Sequence, residues 1–217
     1  FLFPSFISVS HSSDDPWLII EKAAKATKFL NYKGVFRSQY NKEIKSIEIT
    51  HATNNEQEFV RMNVLDGSPG EVLSQGKTTY VYNTIEDNVI IQKRKKQRLF
   101  PAIFPSNVEI LRDFYRLSIG KTERIAGRLS QLVVLSPIDD FRYFHYFWLD
   151  RKSFLPLKMI VIDKNENIIE QASFTQINMI SNKNLDWFKP DVDPSKNYIF
   201  DDKIVGQGIV KNRFWRV

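Results

Sequence analysis

The sequence predicts an α+β fold that is mostly antiparallel β. Three features carry this. A helical apolar period stands near the N-terminus, over about 15–30. From Tyr32 onward the apolar period changes to two, the spacing of a half-buried strand. The strand-like runs then follow one another at short intervals, with turn residues and no helices between them, which implies antiparallel pairing.

In the helix, Asp15 offers a carboxylate to the orphan amides as N-cap, and Pro16 suits the first helical position. Ile19, Ala23, Ala26 and Leu30 recur at helical spacing and predict a core-facing stripe, with Lys22, Lys25 and Lys28 directed elsewhere. Further on, Ile47 and Ile49 alternate with Ser46, Glu48 and Thr50, and Val60, Met62 and Val64 with Arg61 and Asn63. Turn clusters stand at 66–70 and at Gln75-Gly76, and short strands are expected over 78–82 and 88–92. A basic run follows, Lys93-Arg94-Lys95-Lys96-Gln97-Arg98. Next, Phe100-Pro101-Ala102-Ile103-Phe104-Pro105 cannot be a regular central strand, because its prolines lack the ladder donor. With one short helix over 107–113, this makes a long excursion from the sheet, the kind of connection that often serves as a lid or binding loop. Strands return over 115–119, 128–135, 143–150, 155–162 and 168–177, with a hairpin connection at 163–167. The Asn-, Asp-, Lys- and Pro-rich stretch 181–210 reads as a linker. Phe214 and Trp215, unusual in a solvated tail, read as the start of a second domain.

The chain has 217 residues, enough for one large domain, or one domain and part of another. It has no cysteine, which removes thiol catalysis, disulfides and thiolate metal sites. A net charge of +6 favours acidic partners: nucleic acid, phosphorylated lipid or an acidic protein segment. The excess is modest and no aromatic-basic RNA-binding motif appears, so nucleic acid is not expected. No stretch approaches the roughly 18–20 apolar residues of a membrane span. The apolar start and the small residues Ser8-Val9-Ser10 look like the end of a secretory signal, so residues 1–14 read as a signal remnant or disordered tail. That places the protein outside the cytoplasm. The 17 phenylalanines either fill the interior of the sheet or line it for a ligand, and the sequence leaves both open.

The histidines are His11, His51 and His145. His51 ends a strand on the face of Ile47 and Ile49, a place held more often by a hydrogen-bonded structural residue than by a base, which needs positioned partners. His145, among aromatics with Asp139 and Asp140 nearby, is the one constellation that admits acid–base chemistry. No nucleophile elbow, zinc-protease motif or phosphate-cradling glycine loop is present. The chain is therefore read as no enzyme, with no cofactor or metal site. Arg142 with Asp139, and Arg128 with a strand carboxylate, suit the rigid guanidinium fork. Arg142, Tyr143 and Trp148 alternatively face a partner, since these residue types anchor interfaces. Arg94, Lys95 and Lys96 are either solvated or meet lipid phosphates or an acidic peptide, a contact that salt weakens.

One string in the second half is unusual: Glu123-Arg124-Ile125-Ala126-Gly127-Arg128, then Leu135-Ser136-Pro137-Ile138-Asp139-Asp140-Phe141-Arg142-Tyr143, then Phe147-Trp148-Leu149-Asp150. It resembles the periplasmic sigma-E regulator family called RseB or MucB, whose pattern runs R-V-A-G-R, P-x-D-x-[YF]-R-Y-G and L-W-L-D. Leu30-Asn31-Tyr32-Lys33-Gly34-Val35-Phe36, Ile49-Thr50-His51, Leu65-Asp66-Gly67-Ser68-Pro69-Gly70-Glu71-Val72 and Ile169-Glu170-Gln171-Ala172-Ser173-Phe174-Thr175 match further family segments in order. The likeness spans about 15–180 and departs at Phe144, where the family has glycine, and at His145.

The resemblance implies a large domain over 15–180 like that of lipoprotein carriers: an unclosed, strongly curved β-barrel with the N-terminal helix across its mouth. It implies a smaller C-terminal domain that begins at 211–217. It also implies a periplasmic protein that binds the periplasmic part of an RseA- or MucA-like anti-sigma factor and shields it from proteolysis. Lipopolysaccharide, or another acylated envelope molecule, would displace it. A simple lipid or lipoprotein carrier is the alternative on the same fold. Self-association is left open.

Overall fold

The computed structural model describes residues 15–40, 43–54, 57–67, 69–76, 78–85, 88–95, 100–181, 184–189 and 197–201. Helix α1 (Leu18–Phe29) comes first. It begins later than Asp15 and Pro16 suggest. The Asp15 carboxylate accepts the Trp17 amide at 3.1 Å and pairs with Arg112, so it serves a turn ahead of the helix. The buried stripe is Ile20, Ala23, Ala26 and Thr27: Ala23 and Ala26 are as expected, while Ile20 and Thr27 replace Ile19 and Leu30, which are half-buried at its border.

The strands are β1 (Tyr32–Tyr40), β2 (Glu43–Thr53), β3 (Glu58–Val64), β4 (Gly70–Gln75), β5 (Thr78–Ile85), β6 (Asn88–Lys95), β7 (Tyr115–Ile125), β8 (Arg128–Pro137), β9 (Phe144–Asp150), β10 (Pro156–Ile162), β11 (Ile168–Met179) and β12 (Asn197–Asp201). They form one sheet in the order β12-β6-β5-β4-β3-β2-β1-β11-β10-β9-β8-β7. Two meanders, β1–β6 and β7–β11, are joined by the antiparallel pairing of β1 with β11. β12 and β7 end the sheet without pairing to each other, so the barrel is unclosed, as expected.

Three sequence readings are corrected here. The basic run does not begin as a loop: the backbone of Lys93, Arg94 and Lys95 belongs to β6, paired with β5. The stretch 181–210 contains two ordered elements. A 3-10 turn at Leu185–Phe188 buries Phe188 against Phe59 at 5.6 Å, and β12 pairs parallel with β6. Tyr198, Ile199 and Phe200 are good strand formers flanked in the sequence by polar residues. The residues read as a signal remnant (1–14) and as a second-domain start (211–217) lie outside the described residues.

The third correction concerns the excursion between β6 and β7. Instead of a lid, it is a plug. Phe100, Ile103, Phe104 and Leu111 are buried in the same core as α1 and the inner faces of the strands. Phe100 meets Phe36 at 5.1 Å and Phe174 at 5.2 Å, and Phe104 packs on Phe147 at 4.9 Å. Such rings each bury about 150–250 Å² and dominate a core. A 3-10 turn at Glu109–Asp113 ends the plug, where the sequence suggests a short helix.

Gly34 sits where β1 meets β11. A Cβ there would lie 2.6 Å from the Gln176 carbonyl oxygen and 2.9 Å from the Phe174 ring. Gly34→Ala is therefore expected to destabilise the protein by about 1–3 kcal/mol, the usual cost of overpacking. Urea unfolding measures it, and an unchanged midpoint would show that the joint tolerates a wider spacing.

Candidate functional site

Antiparallel register lays rows of side chains across the inner face. One row runs Tyr32, His51, Val60, Ser74, Thr79 over β1 to β5. The next runs Gly34, Ile49, Met62, Val72, Val81. With Glu58 beside the first row and Pro101-Ala102 of the plug nearby, residues of these rows line a small pocket that is partly open to solvent. One end is polar and the other aliphatic.

His51 organises the polar end. Its ring stacks on Tyr32, 4.9 Å between centroids and 6° from parallel. Nδ1 lies 2.6 Å from the Leu30 carbonyl oxygen. That oxygen only accepts, so Nδ1 carries the proton. Nε2 faces Glu58 Oε1 at 3.3 Å. His51 thus ties the end of α1 to β2, the structural role its place in the sequence suggests. Ser74 and Thr79 share a hydrogen bond of 2.5 Å in the wall. Tyr32 is fully buried. Burial, with the charge of Glu58, holds its hydroxyl well above the usual tyrosine pKa and keeps it a neutral donor.

Of the residues singled out in the sequence, Arg128, Arg142, Tyr143 and Trp148 take structural places. Arg128 donates to Asp150 at 2.9 Å, and the Ser153 amide and hydroxyl donate to the same oxygen at 3.0 and 2.6 Å. Burial pushes the Asp150 carboxyl up, but the Arg128 and Ser153 hydrogen bonds outweigh it, and its pKa lies below the usual carboxylate value. Arg142 pairs with Asp139 and lies 4.0 Å over the Phe114 ring. Asp139 also accepts the Phe141 amide at 2.9 Å. Tyr143 is half-buried against the core. Trp148 is only 6% exposed, on the outer face of β9, between Leu132 and Lys158, whose Nζ lies 4.3 Å over its ring. Arg94 and Lys95 lie on β6, next to the terminal strand β12, and Lys96 lies outside the described residues.

Sequence reasoning missed the most exposed apolar residues of the same string. In the β8–β9 hairpin, Phe141 is 85% exposed and Ile138 53%. Nothing in the residue types separates a displayed phenylalanine from a buried one. His145 faces the interior, stacked on Phe147, with Nε2 3.4 Å from the Tyr115 hydroxyl. Burial drops its pKa to about 3.

These features define a class: an unclosed antiparallel sheet whose concave side is plugged by one helix and an inner loop, leaving a small pocket and a displayed hairpin. Residues 16–192 match the MucB/RseB N-terminal domain, and the chain belongs to this family. It is 28% identical over 164 residues to the sigma factor AlgU regulatory protein MucB of Pseudomonas aeruginosa, covering 75% of this chain and 49% of that protein. It is 23% identical over 168 residues to the sigma-E factor regulatory protein RseB of Escherichia coli, covering 74% and 51%. The chain therefore spans about half the length of these relatives. The solved MucA/MucB complex of Pseudomonas aeruginosa shares the fold with a TM-score of 0.66 at 22% identity, over 80% of this chain and 60% of that one.

Two buried groups set opposite pH limits. Below the unfolded histidine value of 6.5, the unfolded chain takes up a proton that native His145 refuses until about pH 3, so stability falls as pH drops through that window. Glu170, on the inner face of β11, has its pKa raised from 4.5 to about 7 by burial. Native Glu170 keeps a proton that the unfolded chain releases, so stability falls as pH rises from 4.5 to 7. Glu170→Gln is expected to gain stability over the wild type at pH 8 by on the order of 2 kcal/mol and little at pH 4. His145→Gln is expected to flatten the acid limb. Urea unfolding across pH tests both, and parallel curves would rule them out.

Proposed function

We propose that this chain is the larger domain of a periplasmic negative regulator of the sigma-E envelope stress response. It binds the periplasmic segment of a transmembrane anti-sigma factor, protects that segment from proteolysis, and releases it when lipid-bearing envelope molecules such as lipopolysaccharide are sensed. The family match over 16–192 carries this reading, and the complex of the Pseudomonas aeruginosa relative with MucA supports it. The plugged interior favours it over a carrier: Phe100, Ile103 and Phe104 occupy the space a bulky cargo needs.

The β8–β9 hairpin is the contact surface we assign to the anti-sigma segment. Phe141 and Ile138 supply the apolar anchor. Arg142 and Tyr143 hold the hairpin, while Trp148 and the Arg128–Asp150 pair brace the strands beneath. Arg94, Lys95 and Lys96 attract acidic peptide or lipid phosphate. The role is binding rather than catalysis.

The protein, incubated at low salt with the periplasmic segment of its cognate anti-sigma factor, is expected to retain it. Salt should weaken the complex and lipopolysaccharide should release it. Phe141→Ser should cost about tenfold in affinity, as loss of an interface anchor does. Failure of the folded protein to retain the segment would reject the reading, and full affinity in Phe141→Ser would move the contact elsewhere.

A further inference from the structure

At the end of the sheet where β9 turns into β10, several cations stand with no carboxylate to meet them. The β9–β10 turn carries Arg151 and Lys152, both exposed. It is fixed to the neighbouring β7–β8 hairpin, since the Arg151 amide donates to the Leu129 carbonyl at 3.0 Å. Leu129 is 44% exposed and faces Arg124 across the two strands. The turn also meets α1: Lys22 Nζ lies 5.1 Å from the centre of the Phe154 ring. Lys25, one helical turn further on, is exposed as well. The nearby carboxylates are engaged, Asp150 by Arg128 and Glu123 by Lys121. Glu21 is the one acidic residue of α1 and offsets a single charge. Among the described residues, Lys22, Lys25, Arg124, Arg151 and Lys152 form no ion pair.

Apolar side chains are set among these charges. Leu18, Lys22, Lys25 and Phe29 follow one another at helical spacing and form a single stripe, turned away from the buried Ile20 and Thr27. Leu18 is 37% exposed and Phe29 55%. A lysine stripe framed by apolar residues suits the boundary between water and an anionic lipid layer, where ammonium groups meet phosphates while stems and rings reach below them. Cations drawn from α1, the β7–β8 hairpin and the β9–β10 turn present a face rather than one linear site. We propose that this face docks on an anionic phospholipid bilayer, with Lys22, Lys25, Arg124, Arg151 and Lys152 at the level of the phosphates and Leu18 and Phe29 within the head-group layer. The contact needs neither the anti-sigma segment nor lipopolysaccharide, so it stands or falls separately from that reading.

The test is co-sedimentation of the whole chain with vesicles of phosphatidylglycerol and phosphatidylcholine in equal parts, and with vesicles of phosphatidylcholine alone. Binding is expected to the mixed vesicles only, and should weaken at least about tenfold toward about 1 M salt, where screening acts within about 3 Å. A basic residue beside an anionic surface is worth about fivefold in affinity, so the double variant Arg151→Gln, Lys152→Gln should bind about 25-fold more weakly. The double variant Lys45→Gln, Lys164→Gln loses the same charge at the opposite ends of the strands and should stay within about twofold of the wild type. Phe29→Ser should cost about tenfold. Urea unfolding checks that each variant is folded. Binding to neither kind of vesicle, equal binding to both, equal loss in the two double variants, or full binding by Phe29→Ser would each overturn the proposal. So would an Arg151→Gln, Lys152→Gln chain that keeps the vesicles and loses the anti-sigma segment, which would give this face to a protein partner.

Discussion

Without the pairing of β1 with β11, the chain would be two separate meanders, each with a bare apolar face. That ladder joins strands nearly as far apart in sequence as the fold allows, from Tyr32↔Met179 to Tyr40↔Glu170. Such long-range pairing costs loop-closure entropy before any contact repays it. The joint is reinforced where it forms. Gly34 lets the Phe174 ring approach the backbone, Thr175 Oγ1 donates to the Val35 carbonyl at 3.0 Å, and Gln171 bonds Gln39 at 2.6 Å. Phe36 and Phe174, one from each strand, then meet Phe100 of the plug. Joining of the meanders and filling of the interior are thus coupled, since the plug packs on Phe36 of one meander and Phe147 of the other.

The plug decides what the concave face can do. A curved sheet with one helix on it leaves a large apolar hollow, and burying Phe100, Ile103, Phe104 and Leu111 removes most of that hollow from water. What survives is the end near β1–β5, where the first row places tyrosine, histidine, serine and threonine, interrupted by Val60. Their hydrogen bonding is local: His51 to Leu30, Ser74 to Thr79.

Much of the strand content was legible because period-two alternation is a local signal. Ile47, Ile49, Val60 and Met62 point inward as their spacing requires. The pairing of Arg142 with Asp139, and that of Arg128 with a strand carboxylate, followed from side-chain chemistry, though not that this carboxylate is Asp150. Register was not legible, because no residue states which partner it faces across a sheet. The row from Tyr32 to Thr79 therefore appears only in three dimensions. The same gap explains Trp148: Leu132 and Lys158 cover it from neighbouring strands, which its own segment does not reveal. The excursion misled for a different reason. Its prolines forbid a strand, which is true, yet a non-strand segment full of Phe and Ile is as fit to fill a core as to cover one. Phe188 and the 197–201 strand were lost in polar composition, which averages away a few well-placed apolar residues.

The β8–β9 hairpin holds an exposed ring on a well-braced turn. A phenylalanine left 85% exposed gains nothing from the hydrophobic effect in the free protein. On a floppy loop it would also lose conformational freedom on binding, which subtracts from affinity. Here that loss is largely taken up in folding. Asp139 accepts the Phe141 amide and binds Arg142, Arg142 lies on Phe114, and the Ile138 amide donates to the Phe114 carbonyl at 2.9 Å. Phe114 itself packs against the core. The chain of contacts from interior to hairpin therefore holds the tip in place, so a ring presented there can put most of its burial energy into a partner.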